Sequence, residues 1–271
     1  MNARPKLFNN LLKYKYQKMK QLLPAIIIIL ILAVVGFIGW SLISKKQPAQ
    51  TTGAGQTQTA LESGQFTFET PKKSAHYESN TPAHGTTLAG VPTNVVVDFN
   101  FDLAPPSQIT IKKDGKDYGM GETVIDDNKL AMRKNMEPSS PDGLYTVSYN
   151  ACWPDGSCHD GNFQFKIDRS KSGGFEDLTG QSEVTVKLSQ IMFGPQNIKI
   201  SKGTKVTWVN NDSVEHYINT DSHPAHTYFP KQNSKALKGG NTYSLTFETA
   251  GIYPYHCSAH AQTMTGSILV E

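Results

Sequence analysis

Three cysteines are all that these 271 residues contain, Cys152, Cys158 and Cys257. At most one pair can bridge, and one thiol is left over. No nucleotide-binding loop is present, and no pairing of a nucleophile with a base marks a hydrolase, so the chain does not read as an enzyme. Basic residues are not interleaved with aromatic ones, which leaves no nucleic-acid surface. The net charge of +3 is mild. It owes much to the N-terminus, where Arg4, Lys6, Lys13, Lys15, Lys18 and Lys20 stand without an acidic residue among them. There is no internal repeat.

Two stretches are defined by what they lack. Leu22 to Ile43 carries no charge. As a helix rising about 1.5 Å per residue it is long enough for the roughly 30 Å hydrocarbon core. Trp40 lies near its outer end, where an indole suits the interface. The basic residues before it outnumber Lys45 and Lys46 after it, which predicts a cytoplasmic N-terminus with all the following chain outside. A cleaved signal peptide would have a shorter apolar run and an A-x-A-like site, and none follows here. Gln47 to Gln65 has almost no large apolar residue and reads as a flexible tether.

The expected organisation is a basic segment 1–21, a transmembrane helix 22–43, a linker 44–73, a β-sandwich 74–168, a linker 169–181 and a second β-sandwich 182–271. The 38% apolar and 10% aromatic content can fill two cores. In the first sandwich Val95–Phe99, Ile109–Ile111, Leu144–Tyr149 and Phe163–Ile167 read as short strands. Pro105-Pro106, Asp114-Gly115, Pro141-Asp142-Gly143 and Asp160-Gly161 punctuate them, an Ig-like pattern. In the second, Asn197–Ile200 and Lys202–Val209 alternate around Gly203. Tyr243–Phe247 and Gly266–Val270 alternate again.

The residues that carry chemistry cluster near the C-terminus. Cys257, His260 and Met264 lie in one short segment, and His216 precedes them in the chain. Two imidazoles, a thiolate and a weak thioether are the ligand set of a blue-copper electron-transfer centre. With its strand frame, the segment Ser182–Glu271 resembles the cupredoxin family in its plastocyanin and amicyanin-like branch. The resemblance implies a Greek-key sandwich holding one type 1 copper. Its ligands would be His216, Cys257, His260 and the axial Met264, with His260 the more exposed and the exit for the electron. Met264 follows Cys257 by seven residues, and relatives differ in the length of this loop.

A second resemblance covers about Ser74 to Asp168. His76-Tyr77-Glu78 through Thr86-Thr87-Leu88, with Pro92 and Val95–Phe99, is similar to the opening of the bacterial copper-resistance CopC domain. Gly143–Val147, Asp155-Gly156, His159, Gly161 and Phe165 are similar to its closing half. The resemblance implies a Cu(II) site at His76, Asp155 and His159. Two features depart from the family: His76 is internal here, so it has no free amine beside it, and Ser157-Cys158 interrupt the Asp-Gly-His run. Both a working site and a sandwich without copper are open.

Outside the membrane the compartment is oxidising, so Cys152 and Cys158 are expected to bridge and pin the loop of Asp155 and His159. The alternative is that one of them is a soft copper ligand. Met120, Met132 and Met136 read as core or loop residues. His223 and His226 are either an accessory surface metal site or an exposed loop near the copper. His84 and His256 read as loop and strand residues, with alternation turning His256 away from Cys257. The whole reads as a membrane-anchored, extracytoplasmic blue-copper protein carrying single electrons to or from a partner protein that the sequence does not name. The alternative is copper handling or resistance without a redox partner.

Overall fold

The computed structural model describes residues 67–271. The basic segment 1–21, the apolar span 22–43 and the tether Gln47–Gln65 lie outside the described residues. Among the described residues no helix is long and apolar enough to cross a membrane.

The chain from Tyr77 to Ile167 folds as two facing sheets. One runs in the order Tyr77–Thr81, Asn94–Phe99, Ala131–Met136, Gly119–Ile125. The other runs Thr87–Leu88, Cys158–Ile167, Gly143–Cys152, Ala104–Lys113, Lys116–Asp117. Period-two alternation explains the inward faces. Gly143–Cys152 buries Tyr145, Val147, Tyr149 and Ala151 while Ser148 is exposed. These side chains pack with Phe99, Ile111, Trp153 and Phe165 into one core. Met132 and Met136 belong to that core, and Met120 is exposed.

The second sandwich holds Cys257. Its sheets run Glu176–Asp177, Asn197–Ile200, Thr265–Val270, Gly251–His256, Asn219–Thr220, and Met192–Gly194, Glu183–Ser189, Thr204–Asn210, Thr242–Phe247. Asn197–Ile200 and Thr204–Asn210 are therefore not a hairpin. The turn at Gly203, where φ is +83°, carries the chain from one sheet to the other. Each strand then pairs parallel with a distant one, Thr265–Val270 and Glu183–Ser189 respectively. Trp208, Phe247, Tyr253 and Tyr255 dominate this core.

The two sandwiches belong to one compact unit. The strand Asn94–Phe99 shows how. All six of its residues are buried, so both of its faces are covered. Val95, Val97 and Phe99 face the first core, whereas Val96 joins the core of the second sandwich. Asp98, only 2% exposed, accepts hydroxyl hydrogen bonds from Ser79, from Ser222 at 2.7 Å and from Thr227 at 2.6 Å. The latter two lie in the second sandwich. Arg133, paired with Asp126, donates to the Thr227 carbonyl at 3.0 Å. Leaving such buried groups unpaired costs about 1–3 kcal/mol each, so this seam is specific rather than merely apolar. Gly251 permits the close approach. A Cβ there would meet Thr93 Cγ2 at 2.7 Å and the Val91 carbonyl at 3.1 Å.

Candidate metal centre

Cys257 follows directly on the strand Gly251–His256, and a 3-10 turn at Ser258–His260 reverses the chain before Thr265–Val270 begins. Three backbone bonds close this loop. Cys257 N–H donates to the Met264 carbonyl at 2.9 Å, His260 N–H to the Cys257 carbonyl at 2.8 Å, and Met264 N–H to the His260 carbonyl at 2.9 Å. His216 comes from the segment between the strands Thr204–Asn210 and Asn219–Thr220. Its backbone exchanges two hydrogen bonds with Leu237. The buried Asn210 amide clamps the approach by donating to the Val214 and Leu237 carbonyls.

These elements bring His216, Cys257 and His260 together, with their ligand atoms within 4.8 Å of one another. Cys257 Sγ lies 3.6 Å from His216 Nδ1 and 3.6 Å from His260 Nδ1. His216 Nε2 lies 2.9 Å from Asp212 Oδ2, and a carboxylate can only accept, so that nitrogen carries the ring proton. Its Nδ1 lone pair is then free and directed at the sulfur. Asp212 is itself held by the amides of Ile191 and Gln190. The Ile191 amide first, and then His216, keep its carboxyl below the usual range. The Tyr217 amide donates to Cys257 Sγ at 3.4 Å. Cys257, His216 and Met264 are buried; His260 is half-buried and the most accessible of the four.

The donor set can be tested against a metal. Metal–sulfur and metal–nitrogen bonds of about 2.3 and 2.0–2.1 Å, at trigonal or tetrahedral angles, place S and N about 3.5–3.8 Å apart. The two 3.6 Å separations fall in that range. A free thiolate-capable cysteine and two imidazoles with a carboxylate behind one of them suit a soft, redox-active ion.

Residues 180–271 match the family described as copper binding proteins, plastocyanin/azurin family. A plastocyanin of Scenedesmus fuscus is 36% identical over 101 residues, covering 33% of this chain and 100% of that protein. The chain belongs to the plastocyanin/azurin family of copper-binding proteins. An amicyanin-alpha of Methylorubrum extorquens is 30% identical over 96 residues, 35% of this chain and 76% of its own. A solved amicyanin variant is 25% identical, with TM-score 0.28, over 32% of this chain and 81% of that one. Residues 77–168 match the CopC domain. The chain thus joins a CopC domain to a plastocyanin/azurin-family domain.

In the CopC domain the three residues singled out from sequence are placed differently. His76 stacks on Phe101 at 4.9 Å between ring centroids and tilts against Trp153 at 5.4 Å; its Nδ1 meets Asn100 Oδ1 at 3.1 Å. His159 meets the same Trp153 at 5.3 Å. Asp155 is turned to Ser157, whose hydroxyl and amide hold its carboxyl below the usual range. All three are exposed, and they do not form one of the ligand clusters found among the described residues. Cys152 and Cys158 are joined as a disulfide across this turn, and Cys257 is free.

The plastocyanin/azurin-family domain holds a second cluster that reading by sequence position dispersed. His223, His226 and His256 bring their ring nitrogens within 4.8 Å of one another. His226 is half-buried rather than part of an exposed loop. Burial, then its neighbours His256 and His223, push its pKa down to about 4. His256 does turn away from Cys257, as alternation requires, but it turns into this cluster. The available signal was the His-Pro-Ala-His spacing at 223–226. It needs His256 to complete it, and the fold alone supplies that. His84, by contrast, is structural: its Nδ1 accepts from the Gln164 amide at 3.1 Å.

Proposed function

We propose that this protein is an extracytoplasmic one-electron carrier. His216, Cys257 and His260 would hold a single copper ion, with Met264 as the weak axial donor. The observation that carries this reading is the pair of Nδ1 atoms, each 3.6 Å from Cys257 Sγ. Copper bound there supplies a Cu(II)/Cu(I) couple, whose potential depends on the axial group and on hydrogen bonding at the cysteine sulfur.

The protein's own part is to hold still. Asp212 fixes the tautomer and the plane of the His216 ring. The Tyr217 amide donates to the cysteine sulfur and helps to fix its position. The backbone bonds of the 257–264 loop keep His260 and Met264 in register with Cys257. Burial of His216, Cys257 and Met264 keeps water out, so little must be rearranged between oxidation states. Half-exposed His260 gives a partner protein the shortest way in.

An absorption and EPR spectrum of the full chain with added Cu(II) tests this. An intense thiolate-to-copper band that disappears in Cys257→Ser is expected; a band that persists in that variant removes Cys257 from the site. The apolar span 22–43, and a disulfide suited to an oxidising compartment, support an anchored protein with both sandwiches outside. Protease added to intact cells should then release them. Full protection of the C-terminus would reverse the topology. A second reading, copper handling without a redox partner, is favoured by the CopC domain. It predicts Cu(II) uptake without the thiolate band.

A further inference from the structure

We propose that His223, His226 and His256 form a second, separate copper site, with Asp221 as its positioning residue. It is built entirely from imidazoles and needs no part of the Cys257 centre.

The geometry is that of ligands, not of a packed surface. His256 Nε2 lies 3.2 Å from His226 Nε2 and 3.3 Å from His223 Nδ1. Two metal–nitrogen bonds of about 2.0–2.1 Å, at angles between a right angle and the tetrahedral value, separate their nitrogens by about 2.8–3.4 Å. Both observed separations lie in that window. On the other side of its ring, His256 Nδ1 is 3.0 Å from Asp221 Oδ1. The carboxylate accepts, so Nδ1 carries the proton and Nε2 presents a lone pair to the cluster. A carboxylate behind a histidine, fixing tautomer and ring plane, is the support that metal-binding imidazoles use. Ser258 Oγ lies 3.1 Å from His226 Nε2 and accepts from the Asn219 amide at 2.7 Å, so the rim of the cluster is also ordered.

The scaffold is fixed on three sides. His256 is buried on a strand paired to Thr265–Val270. His223 and His226 sit on a loop whose Ser222 and Thr227 are tied to Asp98 of the CopC domain. The loop closes on itself through the Tyr228 amide and the Asp221 carbonyl at 2.9 Å. His223 is exposed, which leaves an ion a way in from solvent. Three imidazoles with no thiolate suit Cu(II), Zn(II) or Ni(II), and affinity for such donors peaks at Cu(II).

The test is copper counting on the full chain in a Cys257→Ser background, with and without His223→Ala and His226→Ala. The added pair should lower the tightly bound Cu(II) by one equivalent. It should also delete an EPR component with nitrogen-coupled, tetragonal character. Asp221→Asn should keep that equivalent but weaken it about 10–100-fold. An unchanged copper count on removing His223 and His226 overturns the site, and a site that takes Zn(II) while refusing Cu(II) overturns the metal assigned. Thermal unfolding of each variant checks the fold. If Cys257→Ser does not fold, the same subtraction is made with Cys257 intact. The thiolate band plays no part in the count, so this proposal can fail while the electron-transfer reading stands, or the reverse.

Discussion

The CopC domain and the plastocyanin/azurin-family domain are both two-sheet sandwiches with aromatic cores, yet they treat their candidate ligands in opposite ways. In the second, the ligands lie at one end of the sandwich, backed by Asp212 and closed by backbone bonds between Cys257, His260 and Met264. In the first, His76 and His159 both lean on Trp153, and Asp155 spends its carboxylate on Ser157. The disulfide Cys152–Cys158 pins the turn, but the turn is exposed. Residue type is thus not what separates the two. A metal site needs ligand atoms that the fold already directs at one point, and in the second domain the carboxylate behind His216 and the backbone closure of the 257–264 loop do this.

That contrast can be broken most directly at Asp212. Asp212→Asn should weaken copper at the Cys257 centre about 10–100-fold, because the amide can offer its N–H to His216 Nε2 and favour the wrong tautomer. Competition against a Cu(II) chelator measures it. Unchanged affinity would mean that the backing carboxylate is dispensable and the comparison rests on burial alone. A smaller effect is expected at the axial position. Met264→Leu should keep the copper and the colour and raise the reduction potential, since a donor to Cu(II) is lost. A potential equal to the parent's would take Met264 out of the coordination sphere. The smallest effect is expected in the CopC domain. His76→Ala with His159→Ala should change tightly bound Cu(II) little, the remaining binding being weak and labile. Loss of a full tight equivalent would show that exposed rings around Trp153 close on copper after all, and would erase the distinction between the domains.

Much of this was legible in the sequence, for reasons that differ by residue. Period-two alternation exposed the strands because each buries one face, as in Gly143–Cys152 and Thr204–Asn210. The Cys257 centre was legible because three of its four members fall within one loop. The run Val95-Val96-Val97 announced a strand but not that its far face lies under a second domain, since a strand covered on both faces reads the same whatever covers it. The parallel pairings of Asn197–Ile200 and Thr204–Asn210 were hidden because a glycine turn between alternating runs looks like a hairpin. The three-histidine cluster was hidden for a stronger reason. His223 and His226 are about thirty residues from His256 in the chain, and the loop that carries them is positioned by Asp98 of another domain. No local pattern encodes that.

His256 and Cys257 are consecutive residues whose side chains point to opposite sides of the sandwich end. If each side carries a cation, the two ions share one peptide unit and feel one another's charge. Filling the histidine side would favour the less charged, reduced state of copper at Cys257. By thermodynamic reciprocity, reducing that copper would tighten the ion held by the three histidines by the same factor. The chain would then report its redox state as a change in metal affinity a single residue away. The potential of the Cys257 centre, measured with the histidine cluster intact and with His223 and His226 replaced, reads the coupling from one side; identical potentials would mean the two ends of that peptide act independently.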